Sequence, residues 1–590
     1  MKSVFFAACS LLFLLTASFP TAATGEVTLN PVVISASRLP QSSLFLGHET
    51  VVCDRSASES VADLLYGMPG LNLSLHNTPG ALSTIKIAGT DPKHTLVRFG
   101  HAKLNDAFNG MCDLSLIDPV VLSAVQIVRQ SASSVHGGEA PGGVVELRGR
   151  GSNEEFLRLD TGSFGSRKIS FGLPAGRQAA LIASHWDLEG DREGSNGRQN
   201  TLYGSGFAQD MNWQFLFTDR NIGTPGTVKS FLWNTPGDRQ GSSLRLFDLS
   251  WRPHHSIRAV CSDSSYSLAV LDASMGKENT YESDRFSLEL TRHWSTSVIG
   301  LQYEHMSGKA AIFSDNDFDN AWDATVDSIE RIDRDENCLS FFGEKAWRKL
   351  YLSARHDSYD LAGSQAGLNA AYQEGCITMD WFRGYRLPTF NDMYWPTGGN
   401  PSLDTERNTG AGLTIAPAHW LKLRGFTTSY LNLIQWAPLP SGVWTPQNVG
   451  SARVRGLECR LQHENLSVRI NWEQPENRQD RSRLLYKELR SGRIDWTVDS
   501  GHDRSRQQTV VSYVYHGKMR MPDDFDAAFN PLYCFRNGTG VWEVTLRSGS
   551  DGSRPQTVLT VHNLFDKQLI TVKDYPAVGR SYRLGIEFSW

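Results

Sequence analysis

The most regular set of reactive side chains lies in FSDNDFDNAWDATVD (313–327), where Asp315, Asp317 and Asp319 stand two apart and Asp323 and Asp327 follow. Oxygen ligands at that spacing suit calcium. A calcium-binding hand, however, needs glycine at its sixth position and glutamate at its twelfth, which here are Asn320 and Val326. A solvated acidic loop fits the run better, with calcium in outer loops as the lesser alternative. Elsewhere the histidines and carboxylates form no spacing that suggests a triad or a metal centre, so no enzyme is expected. The chain has eight cysteines. Cys9 falls in an N-terminal apolar run, and the others are scattered without CxxC spacing, which argues against a disulfide framework and a zinc site.

Three further stretches carry recognition chemistry. In HNTPGALS (76–83) and NDAFNGMCD (105–113), amides and backbone groups sit beside apolar residues between two expected strands. The residues concerned are His76, Asn77, Thr78 and Ser83 in the first, and Asn105, Asp106, Phe108, Asn109 and Met111 in the second. Such loops suit a large, neutral, amide-rich ligand. The third stretch is Pro31, Val32, Val33, Ile34 and Ser35. It is β-branched and extended, and its unpaired edge can accept a partner strand.

The elements that position these residues are mostly strands. From about residue 151 to the end run short alternating segments such as EFLRLDTGS (155–163), SLRLFDLSWR (243–252) and RFSLELTRHW (285–294), separated by turn formers. In SYRLGIEFSW, Tyr582, Leu584, Ile586, Phe588 and Trp590 share one parity, and Arg583 and Glu587 share the other. Strands of ~10 residues with connections of similar length predict roughly 22 of them, enough for a transmembrane barrel whose lumen is open or plugged. A mean hydropathy of −0.34 agrees with a barrel as well as with a soluble protein, because lumen-facing residues are polar. The net charge of −5 gives no reason to expect nucleic acid. At the N-terminus, Lys2, the apolar run 4–15 and the small residues at 21–23 read as an export signal cleaved near Ala23.

Residues 26–150 differ. VADLLYGMPGLNL (61–73) predicts a short helix stopped by Met68, Pro69 and Gly70, and 83–89, 94–100, 124–130 and 142–150 predict strands. The expected organisation is a signal at 1–23, an extended segment at 24–40, a small α+β plug at 41–150 and an all-β membrane barrel at 151–590.

Several blocks, in order along nearly the whole chain, resemble the TonB-dependent outer-membrane receptors. They are NPVVISASR (30–38), SVADLLYGMPGLNL (60–73), SSVHGGEAPGGVVELRGR (133–150), GYRLPTFNDMYWPTGGNPSLDTER (384–407), NVGSARVRGLE (448–458), VHNLFDKQ (561–568) and GRSYRLGIEFSW (579–590). Within that family the chain is most similar to the branch that imports cobalamin (vitamin B12). The resemblance implies a monomer in the outer membrane of a Gram-negative-type bacterium. It also implies an energy-coupling box at Pro31 to Ser35 for a TonB-type inner-membrane partner, and a barrel-assembly signal in Tyr582, Phe588 and Trp590. The implied cargo is cobalamin or a related corrinoid, with a ferric siderophore or haem as runner-up and a passive porin as the energy-free alternative. The chain departs from the family at the plug arginines. The usual Ile-Arg-Gly is Ile87-Ala88-Gly89 and the Arg-Gly-Pro is Arg129-Gln130-Ser131, so only Arg129 is left to anchor plug to barrel.

Overall fold

The alternation in SYRLGIEFSW becomes a barrel-closing strand. The computed structural model describes residues 39, 48–52, 60–75, 80–151, 155–176, 178–226, 235–273, 276–314, 327–396, 398–438, 444–448, 450–500, 507–525, 531–549, 555–575 and 579–590. In it, strand Ser581–Ser589 pairs antiparallel with Phe156–Gly162 and completes a closed barrel of 22 strands. Arg583 and Glu587 face the lumen, where Arg583 Nε lies 3.4 Å from Asp160 and Arg158 donates to Glu587 over 3.4 Å. Tyr582, Phe588 and Trp590 face outward and are 56%, 39% and 69% exposed.

The same inside–outside alternation runs round the barrel. In Leu350–Tyr359, Tyr351, Ser353, Arg355, Asp357 and Tyr359 are buried while the residues between them are not. An outward belt of Leu288, Leu290, Leu301, Leu339, Phe341 and Leu457 is far more apolar surface than a water-exposed wall carries, and it fits lipid. The two ends of the barrel are unlike. At one end strands join through two-residue turns, including 255–256, 295–296, 348–349 and 419–420. Exposed Trp251, Trp294, Trp347 and Trp420 sit at or near these turns as an aromatic girdle. At the other end lie long connections, including 387–405, 432–450, 478–489, 517–538 and 563–580. Short turns mark the periplasmic end of such barrels and long loops the outer end. Several strands exceed the expected ~10 residues; Ser328–Trp347 has 20, and the excess belongs to strand pairs that continue past the lipid belt.

The N-terminal elements form the plug. Strands β1 (His48–Val52), β2 (Leu71–Leu75), β3 (Ser83–Ile87), β4 (Thr95–Phe99), β5 (Ala102–Lys103), β6 (Leu122–Val128) and β7 (Gly143–Gly149) make a five-stranded sheet in the order β1-β6-β7-β4-β5 and a β2-β3 hairpin. Helix α1 (Val61–Leu65) starts at a capping box in which Asp63 N donates to Ser60 Oγ (3.2 Å) and Ser60 N donates back to Asp63 Oδ2 (2.9 Å). Met68-Pro69-Gly70 ends the helical run as expected, and Gly70 (φ 77°) is required. A Cβ there would lie 2.4 Å from the Arg129 guanidinium. The plug core, with Val97, Phe99, Ile127, Val145 and Leu147, is continuous with Ile182, Tyr203, Leu216 and Leu246 of the barrel wall.

Candidate functional site

Three plug segments reach the long-loop end of the barrel: residues 80–83, the loop 105–113, and the turn after β3 that runs through residue 94. Barrel residues remote in sequence hold each of them.

Arg220, in strand Met211–Gly223, joins the first two. Its guanidinium donates to Gly80 O (2.7 Å), to Asp113 Oδ2 (2.6 Å) and to Ser115 Oγ, and Asp113 Oδ1 accepts from Ser83 N (3.1 Å). Ser83 Oγ donates to Ala81 O (3.0 Å). Ser83 is thus a buried link between the two loops. His76, Asn77 and Thr78 lie outside the described residues, as do Pro31, Val32, Val33, Ile34 and Ser35 and the acidic run from Asp315 to Asp323.

The loop 105–113 is built from the residues that the sequence singles out, and their polar groups mostly shape the loop itself. Asn105 Oδ1 accepts from Val97 N (2.8 Å) and its Nδ2 donates to Thr95 O and Gly110 O (3.0 Å each). Asp106 accepts from Asn109 N, and burial pushes its carboxyl up to about 6 against that bond. Phe108 is fully buried among Ala310, Ile312, Ile332 and Phe390. Asn109 Oδ1 accepts from Asn391 Nδ2 (3.0 Å), and Phe108 O accepts from Asn391 N (2.9 Å). Met111 lines a cavity.

Asn391 belongs to helix α2, a five-residue element Phe390–Tyr394 in the loop 387–405, capped by Thr389, whose Oγ1 accepts from Asp392 N (3.1 Å). Asp392 gathers Lys93 Nζ (2.8 Å), Trp436 Nε1 (3.2 Å) and Arg386 (3.4 Å). Burial opposes its charge, but Lys93 and Arg386 hold the carboxyl well below the usual range. His94 accepts from Asp91 N at Nδ1 (3.1 Å), which leaves Nε2–H to donate to Glu406 Oε2 (2.5 Å). Lys487, from the loop 478–489, donates to Asp91 Oδ1 (2.8 Å) and to Thr90 O. Against the cost of burial, Lys487 above all keeps Asp91 charged below its ordinary range.

These contacts frame a cavity of about 660 Å3 between plug and outer loops. Its floor is Lys86, Asp91, Lys93 and Met111, and its walls include Tyr430, Trp436, Tyr486 and Tyr533. That volume and mixed lining suit a small-molecule site. The lysines, Arg220 and α2 escape a reading of the sequence. The Thr389-x-x-Asp392 capping box is the one local signal that could have found α2.

Arg129 donates from Nη1 to Pro69 O (2.7 Å) and stands 4.0 Å from Glu458 of the barrel. The neighbouring barrel carboxylate Glu473 is fully buried. Among the described residues it accepts only from Asn471 Nδ2 (2.8 Å), and its Oε2 has no partner. A Cβ on Gly89 would come within 3.2 Å of that oxygen, so the carboxylate faces the Ala88-Gly89 turn, where the resemblance leads one to expect an arginine.

Comparisons with known proteins agree with this architecture. Residues 50–144 match the TonB-dependent receptor plug domain, and 184–554 match the TonB-dependent receptor-like β-barrel. The vitamin B12 transporter BtuB of Vibrio vulnificus (strain YJ016) is 25% identical over 95% of this chain and 94% of its own length. Among solved structures, the siderophore receptor PirA of Acinetobacter baumannii superposes with a TM-score of 0.72 at 13% identity, covering 94% of this chain and 100% of that one. The ferric enterobactin receptor PfeA of Pseudomonas aeruginosa, in complex with enterobactin, gives 0.71 at 16% identity, covering 92% and 99%. At such identities these structures establish the fold alone.

Proposed function

Because the chain belongs to the TonB-dependent receptor family, outer-membrane proteins that bind small-molecule ligands and couple to TonB, we propose that it imports cobalamin or a related corrinoid from outside the cell. The observation that carries the cargo is whole-length similarity to a vitamin B12 transporter, which spans plug, barrel and loops together. The ligand enters at the long-loop end and rests between the plug segments and the loops 387–405, 432–450 and 478–489. Pairing of a TonB-type protein with Val32, Val33 and Ile34 then pulls the plug, since no nucleotide is available at the outer membrane. Residues 1–23 act as the export signal, 24–40 as the coupling segment, 41–150 as the plug and 151–590 as the barrel. Tyr582, Phe588 and Trp590 mark the last strand for assembly, and Arg129 is the remaining plug anchor.

A ferric siderophore is the second reading, favoured by the lysine and tyrosine side chains of the cavity. Calorimetry of the full chain in detergent with cyanocobalamin and with several ferric siderophores separates the two. Tight cyanocobalamin binding is expected. Weak cyanocobalamin binding beside tight binding of an iron chelate overturns the cargo and leaves the transporter intact.

A further inference from the structure

The charges around the cavity do not balance locally. Asp91 is taken by Lys487, and Asp392 by Lys93 and Arg386. Glu406 holds Arg386 (2.7 Å) and His94, and Asp523, from the loop 517–538, holds Lys573 (2.5 Å). Lys86, on β3, is left over. It is only 7% exposed, lines the cavity, and has no carboxylate partner among the described residues. Its ammonium lies 5.2 Å from the centre of the Tyr486 ring, which offers a face but no counter-charge. A buried ammonium without a counter-charge is costly, so it either sheds its proton or pairs with an anion that reaches it through the cavity.

We propose that Lys86 is the anchor for an oxyanion of the ligand, so that the cavity is an anion subsite and the cargo carries a phosphodiester, carboxylate or catecholate at the end that meets the plug. This deepens the transport reading and rests on it only for the side from which the ligand enters. A corrinoid supplies such a group through the phosphodiester of its nucleotide arm, an iron chelate through its metal-binding oxygens. Burial first, then repulsion from Lys487, brings the Lys86 ammonium down to about 7, with Asp91 only partly opposing. The other titratable groups lining the cavity are Lys93 and His94 from the plug, Asp392 and Arg386 from the loop 387–405 and its strand, Tyr430 from strand Leu421–Leu431, Tyr486 from 478–489, and Asp523 and Tyr533 from 517–538.

The test measures binding to full-length wild type, Lys86→Met and Lys86→Arg by calorimetry. The probes are cyanocobalamin, dicyanocobinamide (the same ring system without the phosphodiester) and a ferric tricatecholate. Loss of a charge-assisted hydrogen bond weakens an anionic probe by about tenfold or more in Lys86→Met, whereas Lys86→Arg retains it. Dicyanocobinamide binds the variants equally. In wild type alone, anionic-probe affinity falls by about tenfold per pH unit above pH 7, a readout that survives if the Met variant fails to fold. A ferric tricatecholate that binds through Lys86 while cyanocobalamin does not bind upholds the anchor and refutes the corrinoid cargo. Anionic binding that is unchanged in Lys86→Met and flat with pH overturns the anchor, even where cyanocobalamin binds, and so does failure of both anionic probes to bind wild type.

Discussion

Replacing Glu473 by glutamine should tighten the plug. The carboxylate is buried in the barrel wall and, among the described residues, has one hydrogen bond, from Asn471, with Oε2 unpartnered against the Ala88-Gly89 turn. Arg129 and Lys487 attract it from beyond contact and Glu458 repels it. An unpaired buried charge costs several kcal/mol, while an isosteric amide keeps the Asn471 bond and sheds the charge. Allowing for the lost attraction to the two cations, the variant gains about 2 kcal/mol of plug stability, or a factor of about 30 in the opening equilibrium. Native-state hydrogen exchange of the β3 amides reads this directly, because those amides report local opening. Ala88→Arg should slow the same amides by supplying the missing cation, and should have little effect when Glu473 is already glutamine, a non-additivity that marks a direct pair. Faster or unchanged exchange in Glu473→Gln, or equal effects of Ala88→Arg in both backgrounds, would refute the reasoning.

Other perturbations have distinct outcomes. Val33→Pro removes a donor and blocks strand addition, so transport should stop while calorimetric binding persists. Phe108→Ala empties a fully buried site and should cost about 3–5 kcal/mol locally, seen as rapid proteolysis or exchange of 105–111 with the barrel intact. Lys86 loses its proton near 7 when folded and near 10.5 when unfolded. The unfolded chain therefore binds the extra proton between those values, and plug stability should rise with pH across that window in wild type but not in Lys86→Met, as denaturant titrations at several pH values would show.

The barrel was legible because its signal is local. The parity that sets Tyr582, Phe588 and Trp590 outward and Arg583 and Glu587 inward is written in nine consecutive residues. The site was only half legible, because residue type does not say where a polar group points. Asn105 carries the amide expected of a recognition residue, yet β4 and Gly110 occupy it. Arg220 meets Asp113 from 107 residues away and Lys93 meets Asp392 from 299, partnerships that barrel closure creates and no local pattern reports. The Lys86 imbalance emerges only when the carboxylates described around the cavity, Asp91, Asp392 and Asp523, have been assigned their cations in space.

The central claim is energised import through a plugged barrel. Its most direct test is accumulation of labelled cyanocobalamin by cells expressing the chain, with and without a functional TonB. The account predicts that accumulation disappears without TonB while surface binding remains. Accumulation that continues without TonB, accompanied by steady ion conductance of the purified chain in planar bilayers, would contradict it and point to a passive pore.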